Sequence, residues 1–556
     1  MPSQALVALA TALSGASLVQ AVQPSTEVAA QRGPYIFNAV FDSLRKYGST
    51  VHPNGMSLFL ATVPEGVFFH HGNGQNATPT ALDWLAYEIE HAEMFARNKF
   101  GQPGGGGHRS AMMGEMGGPP PPPHHHSGSP IAGEERPGQI ALGNDNAAPN
   151  NDKEGEEKKE EEEEGHGWLH IYRTTRPLQF LYIDGMSGDK GSDGVIDTQD
   201  FLLRAEAGQP DPSERPQPPQ GPKPPGAPPG PAGEFARATE LCQLCAEWKL
   251  QGVIRTEGAG TEIIKCDFFD GLEEVQSLQR SDTAKRGGPG FGGGPGGGPG
   301  GGPGGRPGRG GPGGGGPGGA PGGGRRPGGP PRGFNGPFNP ENGFRDVGAH
   351  RTVLDYQSMV SAFFFPVNLT NPDGKRAELP RLISASNNEL VAIKAYLADV
   401  VEARRSAALA PYNWRDVADL VVRRYAPRLT ALANSSSEST TAAEDLSDAL
   451  LSVLHVFIDF SVADAEQREA AARDRCTRFY VQTQEPLTTE ADKLIYAGFE
   501  AVNAKICATL FDAMHTVSGK NIKGSTDGGA SAVEAAKASI KALIAYLDWS
   551  VFEKKY

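Results

Sequence analysis

Between residues 286 and 333 the chain is almost pure glycine, proline and arginine, as in "GGGPGGGPGGRPGRGG". Nothing else in the sequence limits the fold so strongly, because such a stretch cannot bury enough apolar surface to offset the entropy of an ordered chain. Its glycines do not follow the strict three-residue period of collagen, so it reads as a flexible loop. Two more blocks behave alike. Residues 102–165 carry "GQPGGGGH", "PPPPPHHH" and "EGEEKKEEEEEG", and residues 206–234 are rich in proline. A shorter Ser/Thr patch runs over 434–441. Setting these aside leaves roughly 380 residues able to bury a core, enough for two domains.

What the blocks interrupt is more informative than the blocks themselves. "GVFFHHG" and "WLHIYRTTRPLQFLYID" read as strands, with aromatic and β-branched residues bounded by turns. "ARATELCQLCAEWKLQG" has helical spacing, with Leu241, Cys245 and Trp248 on one stripe, and "GVIRTE" and "TEIIKCDFF" follow as two short strands. Long insertions in surface loops cost little, because closure entropy grows only with the logarithm of length. The expected fold is therefore an α+β domain over 34–372, interrupted by long disordered loops, plus a C-terminal all-α helical bundle over 384–556. In that second part Ser386 and Glu389 form a capping-box signature ahead of Leu390, Ile393, Leu397 and Val400. Further helices are expected over 414–432, 446–460, 489–515 and 531–552, a bundle of about five.

The first 21 residues end an apolar, small-residue run at Val19-Gln20-Ala21, which suits signal-peptide cleavage although a basic leading segment is missing. The expected location is extracellular. No other segment reads as a membrane span. The net charge of −14 argues against nucleic acid as a partner, since phosphate contacts need cations. Outside the reducing cytosol the five cysteines become candidates for disulfides. Cys476 can join Cys507, and Cys266 can meet Cys242 or Cys245, leaving one thiol over. The "CQLC" pair lacks the second half of a zinc motif and reads as buried thiols. Sequons at Asn76, Asn368 and Asn434 permit N-glycans.

Chemistry is concentrated around "PEGVFFHHGNG", residues 64–74, where a strand ends in His70, His71 and Gly72. Gly72 leaves room for a ligand or another backbone. "LDWLAYEIEHAEMFAR" then reads as a short strand running into a helix, and Glu262 opens a later strand in "GTEIIKCDF". His71-Gly72, Trp84 with Phe95, and Glu262, in that order, resemble the ADP-ribosyltransferase fold of the diphtheria-toxin and poly-ADP-ribose-polymerase type. That resemblance implies NAD as cofactor, with His71 orienting it and Trp84 and Phe95 flanking the nicotinamide. It implies that Glu262 holds the ribose 2′-hydroxyl and stabilises the positive charge left as nicotinamide departs. The acceptor is unknown. The chain departs from the family in having Trp and Phe where Tyr is usual, and Asn73 where Thr commonly follows His-Gly. Glu257 in "RTEGAG" competes with Glu262 for its role. The strings "YGSTVHPNGMSLF", "DWLAYEIEHAE" and "GVIRTEGAGTEIIKCDF" also resemble a group of secreted fungal proteins of unknown role.

One more motif needs weighing. "DKGSDGVIDTQD", residues 189–200, matches part of a twelve-residue calcium loop, with Asp189, Asp193, Gly194, Asp197 and Asp200 in place. Gly191 stands where a third-position oxygen is wanted and the last position is Asp rather than Glu, so an acidic turn without metal is expected. No metal ligands are assigned. If NAD is not bound, the alternative is a non-enzymatic extracellular or cell-wall-associated binding or structural protein.

Overall fold

The computed structural model describes residues 22–96, 167–189, 193–215, 233–258, 260–280 and 351–552, apart from 409–412, 438–440, 483–486 and 519–525. The leader and the insertions at 102–165 and 286–333 lie outside the described residues, as does 216–232 within the proline-rich block. Three short helices open the fold: α1 (Thr26–Gln31), α2 (Gly33–Phe41) and α3 (Lys46–Val51). Strands β1 (Ser57–Val63), β2 (Phe68–Asn73) and β3 (Asp83–Ala86) follow, then helix α4 (Ile89–Glu93). Next come β4 (Trp168–Thr174), β5 (Leu178–Ile183), helix α5 (Glu234–Trp248), β6 (Gly252–Glu257), β7 (Gly260–Lys265), β8 (Leu272–Gln279) and β9 (Val353–Ser361).

All nine strands join one curled sheet in the order β8-β4-β2-β3-β7-β6-β5-β1-β9. Neighbours run antiparallel except β5 and β6, which are parallel because α5 crosses between them. β1, "SLFLATV", is buried on both sides, as befits a strand between β5 and β9 with both faces covered. β8 is an edge strand whose side chains are mostly exposed.

The helical part holds α6 (Asn387–Arg404), α7 (Trp414–Ala433), α8 (Ala442–Leu454), α9 (Ala465–Arg478), α10 (Glu490–Ser518) and α11 (Thr526–Leu547). The capping box forms: the Glu389 carboxylate accepts the Ser386 amide at 2.8 Å and the Glu389 amide donates to Ser386 Oγ at 3.4 Å. α10 opens on a similar pair, with the Asp492 amide donating to Thr489 Oγ1 at 3.1 Å. Among the described residues α10 alone is long and apolar enough to cross a membrane by length and composition. Yet 56% of its apolar window is buried inside the protein, and it serves as the central core helix.

One continuous hydrophobic core runs from the sheet into the bundle and includes Phe37, Leu58, Phe180, Trp414, Phe499 and Trp549. The opening helices belong to this core. α1 and α2 pack on α10, with the Phe37 ring 4.6 Å from Phe499 and 5.5 Å from Trp549. Gly33 and Gly498 make this crossing possible, since a Cβ on Gly33 would sit 2.7 Å from the Gly498 carbonyl oxygen. Polar clasps reinforce it. Arg32 donates to the carbonyls of Phe365 at 2.7 Å and Val367 at 2.6 Å. His52 lies between Asp42 (2.7 Å) and Asp548 (3.3 Å), and Ser550 donates to Asp42 at 2.7 Å. Disulfides join Cys242 to Cys266 and Cys476 to Cys507, so Cys245 is the leftover, buried thiol.

Candidate functional site

The strand register decides how the expected site residues relate. His70 pairs with Ala86, Ala86 with Glu262, and Glu262 with Arg255, a single row across β2, β3, β7 and β6. Directly opposed residues of antiparallel strands share a face, and successive residues alternate. Glu262 therefore lies on the face of His70, Gly72 and Trp84, and His71 lies on the other.

His71 is 3% exposed and closed in by its own neighbours. Its Nδ1 donates to the Trp84 carbonyl at 2.8 Å, which leaves Nε2 to accept from the Asn73 amide at 3.1 Å. The Phe268 ring lies 5.4 Å away and His170 lies 5.9 Å away. Burial, the largest influence, lowers its pKa despite Asp83 at 3.8 Å, in keeping with this neutral tautomer. His70 is half-buried with Nδ1 against the Tyr87 carbonyl at 3.1 Å. Gly72 is explained by packing rather than by a ligand: a Cβ there would run into the Ala92 carbonyl and the Ala96 amide, so α4 can rest on β2 only over glycine. The two aromatics have separate neighbours. Trp84 leans on Phe235 at the start of α5, ring centres 6.3 Å apart, and its Nε1 meets no acceptor. Phe95 is 45% exposed and packs on His91 at 5.8 Å.

Glu262 belongs to a buried chain of charges. Its carboxylate accepts Arg255 Nη2 at 2.8 Å, and Arg255, with no exposure at all, also reaches Glu234 at 2.6 Å and Gln199 at 2.7 Å. Glu234 in turn pairs with Arg237, which holds Asp200 at 2.6 and 2.9 Å. Each charge has an opposite neighbour, the condition under which ions persist inside a protein. Glu257, the competing glutamate, binds His91 Nε2 at 2.7 Å. Burial is the largest single influence and pulls the His91 pKa down, but the hydrogen bond to Glu257 and the charges of Glu257, Glu262 and Glu88 together turn the net shift upward. Beside them Glu88 accepts the Thr261 amide at 2.9 Å and burial raises its pKa, whereas burial lowers that of nearby Lys46. None of Arg255, His91, Glu88 or Lys46 was singled out from sequence. Arg255 alone carries a signal there, as a lone cation inside the apolar strand "GVIRTE".

The calcium-like loop uses its carboxylates otherwise. Asp193 meets Arg376 at 3.1 Å, Asp197 meets Arg381 at 2.7 Å and the Leu382 amide at 3.0 Å, and Asp200 faces Arg237. Positions 190–192 lie outside the described residues. Among the described residues no group of three or more His, Cys, Asp or Glu side chains is placed to hold a metal ion.

Comparison with known proteins gives relatives but no activity. Residues 26–286 match the family model of the YPL277C N-terminal domain, and residues 413–525 match that of the YPL277C C-terminal domain. The chain is 28% identical over 253 residues to the uncharacterized protein YPL277C of Saccharomyces cerevisiae, covering 44% of this chain and 42% of that protein. It is 24% identical over 546 residues to the uncharacterized protein YOR389W of the same yeast, covering 92% of this chain and 77% of that protein. No solved structure matches. Together these matches support placing the chain in an uncharacterised fungal family with an N-terminal and a C-terminal domain.

Proposed function

We propose that this chain is a secreted binding or structural protein of the cell exterior that catalyses no reaction. The observation that carries the reading is the placement of His71 and Glu262 on opposite faces of the sheet. A transferase-type site needs both side chains in one cleft. Here each is closed by its own packed partners, Asn73 and the Trp84 carbonyl for one and Arg255 for the other. The two disulfides suit an oxidising compartment, and Asn76, Asn368 and Asn434 are all exposed, open to glycans. Calorimetric titration of the folded chain with NAD tests it, with released nicotinamide assayed in the same samples. The expected result is no saturable heat and no nicotinamide. Saturable binding that His71→Ala removes would overturn the proposal.

A second reading, an ADP-ribosyltransferase-like NAD site acting on an unknown acceptor, draws on one specific observation. Trp84 and Glu262 share a face, and the Trp84 indole N–H lacks an acceptor that a ligand could provide. On that reading Trp84 and Phe95 flank nicotinamide and Glu262 holds the ribose. It requires NAD binding with nicotinamide release that Glu262→Gln abolishes.

A further inference from the structure

The loop between β2 and β3, residues 74–82, lies across the His71 face of the sheet and reaches the edge strand β8. There Asn76 Oδ1 accepts Ser277 Oγ at 2.6 Å, and Thr78 Oγ1 donates to Glu274 at 2.9 Å. One side chain holds the start of this loop. His170 Nε2 lies 3.0 Å from the Gln75 carbonyl and 3.3 Å from Asn73 Oδ1, and its Nδ1 lies 2.9 Å from Glu274 Oε1. The ring is wholly buried.

All of these partners are oxygens that only accept. Each ring nitrogen must therefore bring a hydrogen, and an imidazole with hydrogens on both nitrogens is the charged form. Were the shared proton on Glu274 instead, the closed arrangement would hold the same number of protons. His71, directly opposite in register, is the contrary case: Nδ1 donates to the Trp84 carbonyl and Nε2 accepts the Asn73 amide, as in a neutral ring. Asn73 thus serves both histidines, giving from its nitrogen to one and accepting at its oxygen from the other.

We infer that His170 is a pH-sensitive latch: doubly protonated, it holds the start of the 74–82 loop to the sheet, and loss of one proton releases it. The carboxylate of Glu274 keeps the Nδ1 hydrogen in place, so the hydrogen given up is the one on Nε2. A lone pair then faces the Gln75 carbonyl and Asn73 Oδ1, neither of which can donate, and the groups part. The closed arrangement binds one proton more than the open one, so closing is favoured as pH falls and opposed as it rises. Histidine is the side chain that ordinarily exchanges a proton between pH 5 and 8.

The other titratable groups around the ring are His71 on β2, 5.9 Å away, Asp83 on β3, 3.8 Å from His71, and Tyr172 on its own strand, 6.2 Å away. The uncharged Phe268 ring packs on both His71 and Tyr172. Burial is the main influence that lowers His71 and raises Tyr172 to about 12. His71 therefore changes charge on the acid side of the ordinary histidine range, and Tyr172 far above it. Opening takes Asn73 from His71 as well, so two rings sealed in the closed fold meet solvent together.

The test is hydrogen–deuterium exchange of the full chain from pH 6 to pH 9, read by mass spectrometry and divided by the intrinsic exchange rate at each pH. Peptides spanning 73–83 report the loop, and peptides of α10 report the fold as a whole. Expected is a loss of protection at 73–83 about tenfold or more beyond any loss in α10, the worth of one hydrogen bond to a charged group. His170→Gln carries no titrating proton and should show no such excess. Glu274→Gln removes the counter-charge and should move the midpoint of the excess down by at least about one pH unit. The inference is overturned if the wild type shows no excess, or if His170→Gln shows the same excess as the wild type. Should His170→Gln fail to protect α10 at all, and so be unfolded, an unmoved midpoint in Glu274→Gln overturns the latch.

Discussion

Arg255 concentrates the residue-scale argument. It is fully buried and answers Glu234 and Glu262 at once, so its loss takes this counter-charge from both carboxylates and leaves Glu234 paired with Arg237. Replacing one member of a buried pair costs about 3–5 kcal/mol, because the partner charge stays buried. Arg255→Met should lower the unfolding free energy read from urea titration by that amount, and adding Glu262→Leu should recover part of the loss. A loss below about 1 kcal/mol, the range of a surface pair, would mean that water reaches these charges. The same row of residues shows what a sequence can and cannot reveal about a site. "HHG" at a strand end and Glu262 in a strand were both legible, since turn and strand signals are local. Which side of the sheet each side chain takes depends on register across β2, β3 and β7, which their own neighbours in sequence do not encode. Gly72 looked like a ligand's space because the helix that occupies it, α4, is only five residues long.

At the scale of elements, local signals again decide what is readable. α6 was legible from its cap and stripe, and the cap forms as expected. Ser386→Ala should cost about 1 kcal/mol, read as a shift in the denaturation midpoint with an unchanged slope. α9 escaped notice because only Ala472 and Cys476 are buried on it. A helix that offers the core one alanine and one half-cystine has no apolar period to find. β8 escaped for a related reason: an edge strand with "LEEVQSLQ" mostly facing solvent lacks the alternation that marks half-buried strands. β9 is well buried, but it follows the long glycine-rich insertion and pairs with β1 just over 300 residues upstream, at Ser57 and Ser361. The cysteines show the same limit. Cys266 was expected to meet one of two neighbours, and only the packing of α5 on the sheet selects Cys242.

For the whole molecule, the joint between the sheet and the helices is where pH should act. His52 sits between Asp42 and Asp548; burial works against its charge, but the two hydrogen-bonded carboxylates prevail and lift its pKa to about 10. A raised histidine contributes stability that is complete below its ordinary value of 6.5 and is lost as pH climbs through about 10. Asp184, buried beside this joint, is raised to about 7 mainly by burial. The folded state therefore holds its proton more tightly than the unfolded chain does, and stability declines from about pH 4 to pH 7 on its account. Melting temperature should fall across both windows, with the upper fall missing in His52→Ala and the lower one missing in Asp184→Asn. A flat profile above pH 7 in the wild type would show that the clasp carries no charge. Asp492 also braces this joint: buried, it accepts Trp414 Nε1 at 3.0 Å and Gln357 Nε2 at 2.8 Å, so one carboxylate serves α7, α10 and β9 together.

The packing of α2 on α10 and α11 also dictates a schedule. The Asn38 side chain donates to the Leu547 carbonyl, a partner made 509 residues later. At about 5–20 residues per second, roughly 25–100 s of translation separate the two. The Phe37 ring waits as long for Trp549, and nearly as long for Phe499, before its packing is complete. A chain built this way cannot finish its first part before its last, and for that interval its apolar opening helices depend on whatever shields them.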